Sequence, residues 1–159
     1  KLIRGNIDTR IKKLKDKSYD AIILATAGLK SLKLEKEITQ IFPVNEIIPS
    51  VGQGVILMQC REDDTRISKL LNSLSDPDTY KCVTAERDVL KILEGDCETA
   101  VGAYAKLIDD KITLEAELFS LDGSKRFSQK ITKDIKDFDK IGIEIGTDLK
   151  KKSKGDYKK

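Results

Sequence analysis

The stretch VGAYAKLIDDKITLEAELF, residues 101–119, decides how the second half of this chain folds. Its two apolar-rich halves are joined by Asp109-Asp110, a pair that suits the tight turn of a β-hairpin. A second turn at Asp122-Gly123 leads into a further strand-like run. The pattern predicts three antiparallel strands, over residues 101–108, 112–119 and 125–131.

Helices are predicted before and after these strands. Asp76-Pro77 supplies an N-cap followed by proline at the first helical position, and Gly95 ends that helix. Its residues expected to be buried are Cys82, Ala85, Val89, Ile92 and Leu93. A last helix carries Ile135, Phe138, Ile141, Ile145 and Leu149. We therefore expect a small α-β-β-β-α domain with both helices on one sheet face, and a lysine-rich tail, residues 150–159, that frays.

The first sixty residues predict a different, α/β arrangement. Asn6 can cap a helix over residues 7–17, and the apolar run 21–25 is typical of a strand covered on both faces. The further elements expected here are a helix after Gly28, a short helix ending at Phe42-Pro43, and strands at 47–48 and 55–60. This alternation predicts a βαβα pattern with a ligand crevice at the carboxyl end of the strand. Such an α/β unit would suit the C-terminal half of a periplasmic-binding-protein-like domain.

Composition excludes several kinds of site. The 30 lysines and arginines nearly balance the 27 aspartates and glutamates, so nothing indicates a nucleic-acid binder. The absence of histidine removes Cys-His nucleophile systems and most transition-metal sites, and we expect no metal. Three cysteines without CxxC spacing, no membrane-length apolar run and no visible signal peptide favour the cytoplasm. The chain begins without Met, inside an apolar run, which suggests a portion of a longer protein.

Cys97 is the leading candidate for covalent chemistry. It ends the segment Leu93-Glu94-Gly95-Asp96-Cys97, on a turn between a helix and a strand. Because carboxylates flank it on both sides, burial would be costly and the pKa of its thiol should rise. We therefore expect an accessible thiol that can hold a stable thioether, whereas Cys60 and Cys82, on apolar segments, are expected to be structural.

Arg4, Arg10 and Gln53 are further candidates. The two arginines either solvate a helix start or form a pair of guanidinium forks for carboxylates. The residues alone leave these two alternatives for the arginines open. Gly52-Gln53-Gly54 is a weak phosphate signature because no helix start follows it, and a flexible interdomain connection explains it better.

Several motifs in order resemble the porphobilinogen deaminase (hydroxymethylbilane synthase) family. They are RGNIDTR (4–10), YDAIILA (19–25), AGLK (27–30), PSVGQG (49–54), CREDD (60–64), AER (85–87) and LEGDC (93–97). The resemblance implies a transferase of haem biosynthesis that condenses four porphobilinogen molecules into hydroxymethylbilane and releases ammonia each time. It also implies a dipyrromethane cofactor in thioether linkage to Cys97, its carboxylates paired with Arg4 and Arg10, with Gln53 near the cleft.

The resemblance also implies how the chain is divided. Residues 1–50 would form the second half of domain two, residues 51–75 a hinge and a segment returning to domain one, and residues 76–159 the C-terminal domain with the cofactor cysteine. The family's catalytic aspartate lies in an N-terminal domain that nothing here matches, so we expect no catalytic residue in this chain, no cofactor on it and no activity by itself. The full-length protein is expected to be a monomer.

Departures and alternatives complete the sequence interpretation. Asp96 replaces a glycine usual in the family, and Ser31 replaces a substrate-binding arginine. Strand 55–60 would lack its sheet and favour self-association. The alternatives are a non-catalytic, periplasmic-binding-protein-like module for a small anion, or an interaction domain built on the α-β-β-β-α unit. Neither nucleic acid nor a membrane is an expected partner.

Overall fold

The computed structural model describes residues 2–96 and 98–158, which divide into two compact units between Pro43 and Val44. The first unit contains helix α1 (Ile7–Lys15), helix α2 (Thr26–Ser31) and one 3-10 turn (Glu35–Glu37). Ile11 and Leu29 are its buried side chains. A methyl group on Gly28 would lie 2.8 Å from Ile7 Cδ1, so α2 packs closely against α1. The predicted first helix is confirmed. It starts after Asn6, although the Asn6 side chain makes no capping hydrogen bond.

The strand predicted over residues 21–25 is wrong. The described part of the first unit contains no strand, and Ile23 is 72% exposed. A strand needs a neighbour for its N–H and C=O groups, and an apolar composition does not supply one. The short helix ending at Phe42-Pro43 is also wrong, since residues 38–43 are not helical. The periplasmic-binding-protein-like arrangement is therefore not confirmed.

The second unit contains the predicted α-β-β-β-α domain. Its elements are α3 (Thr65–Leu74), α4 (Pro77–Leu93), β1 (Val101–Ile108), β2 (Lys111–Phe119), β3 (Arg126–Asp134), a 3-10 turn (Ile135–Asp137) and α5 (Phe138–Ser153). The three strands form one antiparallel sheet in the order β1-β2-β3, as predicted. Asp109 takes a left-handed φ of 53° in the first hairpin turn, which is a conformation that Asp tolerates better than most residues.

The core of this domain lies between one sheet face and the two helices. Ala105, Leu114 and Ile131 stand side by side in register across the three strands. The inward side chains of α4 and α5 complete the core, with Val89, Leu93, Ile141, Ile145 and Leu149 all fully buried. Burying a side chain of this size stabilises a fold by about 1.5–3 kcal/mol.

Helices α4 and α5 approach each other at backbone level. A side chain on Gly142 would clash with the carbonyl oxygen of Ala85, and one on Gly146 would lie 2.8 Å from Ile92 Cβ. Two glycines one helical turn apart therefore let α5 lie directly against α4.

The opposite sheet face carries charge pairs. Glu117 on β2 is only 7% exposed, and its carboxylate accepts a 2.7 Å hydrogen bond from Arg126 Nε on β3. The neighbouring rung pairs Glu115 with Lys130 at 2.9 Å. Glu115 and Lys130 lie directly across from each other and Glu117 and Arg126 lie diagonally, and opposite charges in such cross-strand positions help to fix the register.

The prediction that the lysine-rich tail frays is wrong for its described residues. Helix α5 continues to Ser153, and Tyr157 is 2% exposed. The Tyr157 hydroxyl donates to the Leu93 carbonyl at 3.0 Å, while Lys125 Nζ lies 2.6 Å from Asp156. The ring and hydroxyl of Tyr157 thus fasten the described tail to the domain.

The part of the second unit that precedes α4 carries exposed apolar residues. No strand forms at 47–48 or 55–60, so both strand predictions are wrong. Ile56 and Leu57 are 90% and 84% exposed. Helix α3 begins where predicted, with Asp64 accepting from Ile67 N at 3.0 Å, yet none of its residues is buried.

Candidate functional site

Arg4 and Arg10 both lie near the start of α1. Gly5 between them has φ 120°, a conformation open to glycine, and its carbonyl accepts a 2.7 Å hydrogen bond from Arg10 Nε. The Lys13 ammonium donates to the Arg4 carbonyl at 2.9 Å. Neither arginine forms an ion pair with any carboxylate in the described ranges. These cations at a helix N-terminus therefore suit carboxylates as ligands.

Cys97 itself lies outside the described residues, and hydrogen bonds link the residues on either side of it. Asp96 Oδ1 accepts from Glu98 N at 2.9 Å and from Thr99 N at 3.1 Å, and Asp96 N donates to Thr99 Oγ1 at 3.0 Å. The hydrogen bond from the Glu98 N–H is the main cause that lowers the pKa of Asp96. The Asp96 side chain thus shapes its own turn, which a glycine at this position could not do.

Glu94 follows the last residue of α4 and lies three residues before Cys97 in the sequence. It takes a left-handed φ of 50°, so the chain reverses at Glu94 and not at Gly95 as predicted. Gly95 is needed for space instead, because a methyl group there would lie 2.6 Å from Leu90 Cδ1. Lys158 Nζ lies 2.6 Å from Glu94, and this hydrogen bond is the main cause that lowers the pKa of Glu94. The described tail therefore reaches the helix end that leads to Cys97.

Gln53 lies on an exposed turn that is fastened to the C-terminal domain. Residues 49–54, the connecting segment, were predicted to be a flexible hinge. In the structure, Ala103 N on β1 donates to the Pro49 carbonyl at 3.0 Å, and a methyl group on Gly102 would lie 2.8 Å from the Ile48 carbonyl. The connecting segment thus lies along the outer edge of β1.

A groove of about 380 Å³ lies beside Gln53 within the second unit. Residues from the connecting segment, α4 and β1 line it, and they include Gln53, Cys82, Tyr104 and Lys106. Cys82 is half-buried, and burial is the main cause that raises the pKa of its thiol, which fits the predicted structural role. Cys60 is also partly buried, although the buried strand expected to hold it does not form.

Two residues near these sites were missed by sequence reasoning. Glu86 is 6% exposed although it carries a carboxylate, and its signal is an acidic residue one turn after Cys82 on the apolar side of α4. Tyr157 is a single aromatic residue within a lysine-rich tail. Each differs in polarity from the residues around it, and this difference is the signal from which a special role could have been predicted.

The described residues offer no group of three or more potential metal ligands. Within the same ranges, every helix is too short or too polar to cross a membrane.

Comparison with known proteins identifies the family. Residues 1–69 match the family model described as porphobilinogen deaminase, dipyromethane cofactor binding domain, and residues 80–151 match porphobilinogen deaminase, C-terminal domain. The chain is similar to the porphobilinogen deaminase of Syntrophobacter fumaroxidans, with 39% identity over 92% of this chain and 48% of that protein. It is 45% identical to that of Bacillus cereus, over 94% of this chain and 48% of the relative.

The two matched models describe a cofactor-binding domain followed along the chain by a C-terminal domain. The chain belongs to the porphobilinogen deaminase family, so the resemblance found in the sequence motifs is confirmed. The dipyrromethane prediction is confirmed at family level, since the first model is that of the domain that binds this cofactor. The chain spans about half the length of the curated relatives that it matches.

Proposed function

We propose that the protein containing this sequence is a porphobilinogen deaminase, a cytoplasmic transferase of tetrapyrrole biosynthesis. It would condense four porphobilinogen molecules head to tail into hydroxymethylbilane, releasing one ammonia at each condensation. The observation that carries this proposal is the ordered match of residues 1–69 and 80–151 to the two domain models of one family.

The proposed cofactor site joins one thiol to a set of cations. Cys97 would hold dipyrromethane through a thioether, while Arg4 and Arg10 would bind its acetate and propionate groups and Gln53 would contact it. Support comes from the start of α1, where both guanidiniums have no ion-pair partner among the described carboxylates. A bidentate fork can hold both oxygens of a carboxylate, so arginines fit such a polyanion better than lysines. When bound, the dipyrromethane supplies the pyrrole carbon to which new units are attached.

We further propose the domain division expected from the sequence, with residues 1–50 in domain two, residues 51–75 returning to domain one, and residues 76–159 in the C-terminal domain. The 90% exposure of Ile56 and the uncovered face of α3 support it, because such apolar surface is expected to be covered. The periplasmic-binding-protein-like arrangement would then require sheet partners supplied by the rest of a full-length protein. On this view the isolated chain is inactive, since the family's aspartate is matched by no position in it.

Ehrlich's reagent, which colours with pyrroles, tests the proposal on a protein of the relatives' full length that contains this sequence. We expect colour and an intact mass raised by one dipyrromethane. Cys97→Ser should abolish both, while Cys82→Ser, the control thiol in the groove wall, should retain them. A colourless, unmodified full-length protein would favour the non-catalytic anion-binding alternative and would overturn this proposal. Finding the adduct on the isolated chain would overturn its proposed inactivity.

A further inference from the structure

The buried carboxylate of Glu86 bonds two separate parts of the second unit. Glu86 Oε1 accepts from Ala105 N on β1 at 2.8 Å, and Glu86 Oε2 accepts from Gly52 N in the connecting segment at 2.9 Å. Both oxygens are therefore used, one on the sheet and one on the segment that precedes Gln53.

This arrangement follows from the position of β1 at the edge of the sheet. Every second N–H of an edge strand points away from its partner strand and needs another acceptor. The Pro49 carbonyl accepts from Ala103 N at 3.0 Å, and Glu86 accepts from Ala105 N. A single acceptor atom would be enough to satisfy Ala105, so the second oxygen of Glu86 is left for Gly52.

We infer that Glu86 is a positioning residue that locks the connecting segment to α4 and β1 and thereby fixes Gln53 beside the groove. The role of Gln53 toward the pyrrole chain rests on the proposed function, whereas the lock itself does not. The segment that the sequence presents as a flexible joint is, on this inference, a rigid part of the C-terminal domain.

The pKa of Glu86 shows how its hold on the connecting segment can be distinguished from a contribution to the stability of the whole domain. Burial is the main cause that raises the pKa of Glu86, and its bonds from Ala105 and Gly52 oppose that rise. An acid whose pKa is raised by folding stabilises the fold most at low pH and loses that contribution as pH rises through the raised value. Near neutral pH, an uncharged isostere therefore need not destabilise the domain. It can still loosen the connecting segment.

Hydrogen exchange of individual backbone amides, measured by NMR on this chain, tests the lock directly. In the unmodified chain, Gly52 N–H should be protected together with Ala105 N–H. In Glu86→Gln the amide group offers one acceptor oxygen for two donors, so exchange at Gly52 should be about ten- to hundredfold faster. The control Glu117→Gln alters a carboxylate that is equally buried but lies on the other sheet face, and it should leave Gly52 unchanged. Rapid exchange at Gly52 in the unmodified chain would overturn the inference whether or not the variant folds, and so would unchanged exchange in a folded Glu86→Gln.

A second measurement tests the consequence for Gln53 in the full-length protein. Glu86→Gln should retain the covalent cofactor by intact mass yet consume porphobilinogen about tenfold more slowly, and it should add little to the loss caused by Gln53→Ala. Fully additive losses would refute the positioning of Gln53. If the unmodified full-length protein consumes no porphobilinogen, the proposed function fails, while the exchange experiment still decides on the lock.

Discussion

Replacing Tyr157 with phenylalanine removes one hydroxyl from the tail and keeps the rest of a ring that is 2% exposed. The lost contact is the 3.0 Å hydrogen bond to the Leu93 carbonyl, in the last turn of α4. A buried donor or acceptor left without its partner costs about 1–3 kcal/mol. We therefore expect Tyr157→Phe to lower the free energy of unfolding of the C-terminal domain by that amount.

Urea unfolding followed by far-ultraviolet circular dichroism measures this difference. The matched control is Tyr80→Phe, the same change on a tyrosine of α4 that is 64% exposed, and it should stay within about 0.5 kcal/mol of the unmodified chain. Equal stability of the two variants would mean that the tail is not docked in solution, and the interpretation of Tyr157 as its anchor would be abandoned.

Other contacts lead to three further predictions. Alanine at an unconstrained glycine in a helix usually stabilises by up to about 1 kcal/mol, but Gly142→Ala would clash with the carbonyl of Ala85 and should destabilise by about 1–3 kcal/mol in the same urea assay. Hydrogen bonds from the Ser120 side chain and from the backbone and side chain of Ser124 lower the pKa of Asp122 from 3.8 to about 2. The contribution of Asp122 to the free energy of unfolding is therefore complete above the ordinary pKa of 3.8 and is lost as the pH falls through the lowered pKa. The stability difference between the unmodified chain and Asp122→Ala should thus be constant near neutral pH and shrink in acid between these two values. Ile56→Lys, on a side chain that is 90% exposed, should leave stability unchanged and reduce self-association in sedimentation velocity.

Each of these has an outcome that contradicts it. A stabilised Gly142→Ala would show that the two helices are further apart than described. A difference for Asp122→Ala that does not vary in acid would remove the carboxylate from the turn's stability. Unchanged association of Ile56→Lys would indicate that this side chain is covered in solution.

The C-terminal domain could be predicted closely because its signals are local. Two adjacent residues, Asp109 and Asp110, predict the hairpin turn, and β1 spans Val101–Ile108 as expected. The apolar runs 21–25 and 55–60 carry the composition of strands, but a strand also requires a partner, which composition does not specify. These two predictions were therefore wrong in the described structure.

The candidate site was only partly predictable for the same reason. Arg4 and Arg10 are close in sequence and both lie near one helix start. Glu86 instead bonds to residues 34 and 19 positions away, so its role depends on the tertiary fold. Tyr157 reaches a carbonyl 64 positions away. The roles of Cys97, Arg4, Arg10 and Gln53 toward the cofactor stay predictions.

The covering of β1 also affects how readily the sheet can be extended by another chain. The N–H groups of Ala103 and Ala105 on this border already donate to a peptide carbonyl and a carboxylate, so it is a poorer template for an incoming strand. The other edge strand, β3, carries Arg126, Lys130 and Lys133, and such charges disfavour pairing with a flat apolar strand. Both edges of the sheet therefore carry features that disfavour edge-to-edge pairing with a second chain.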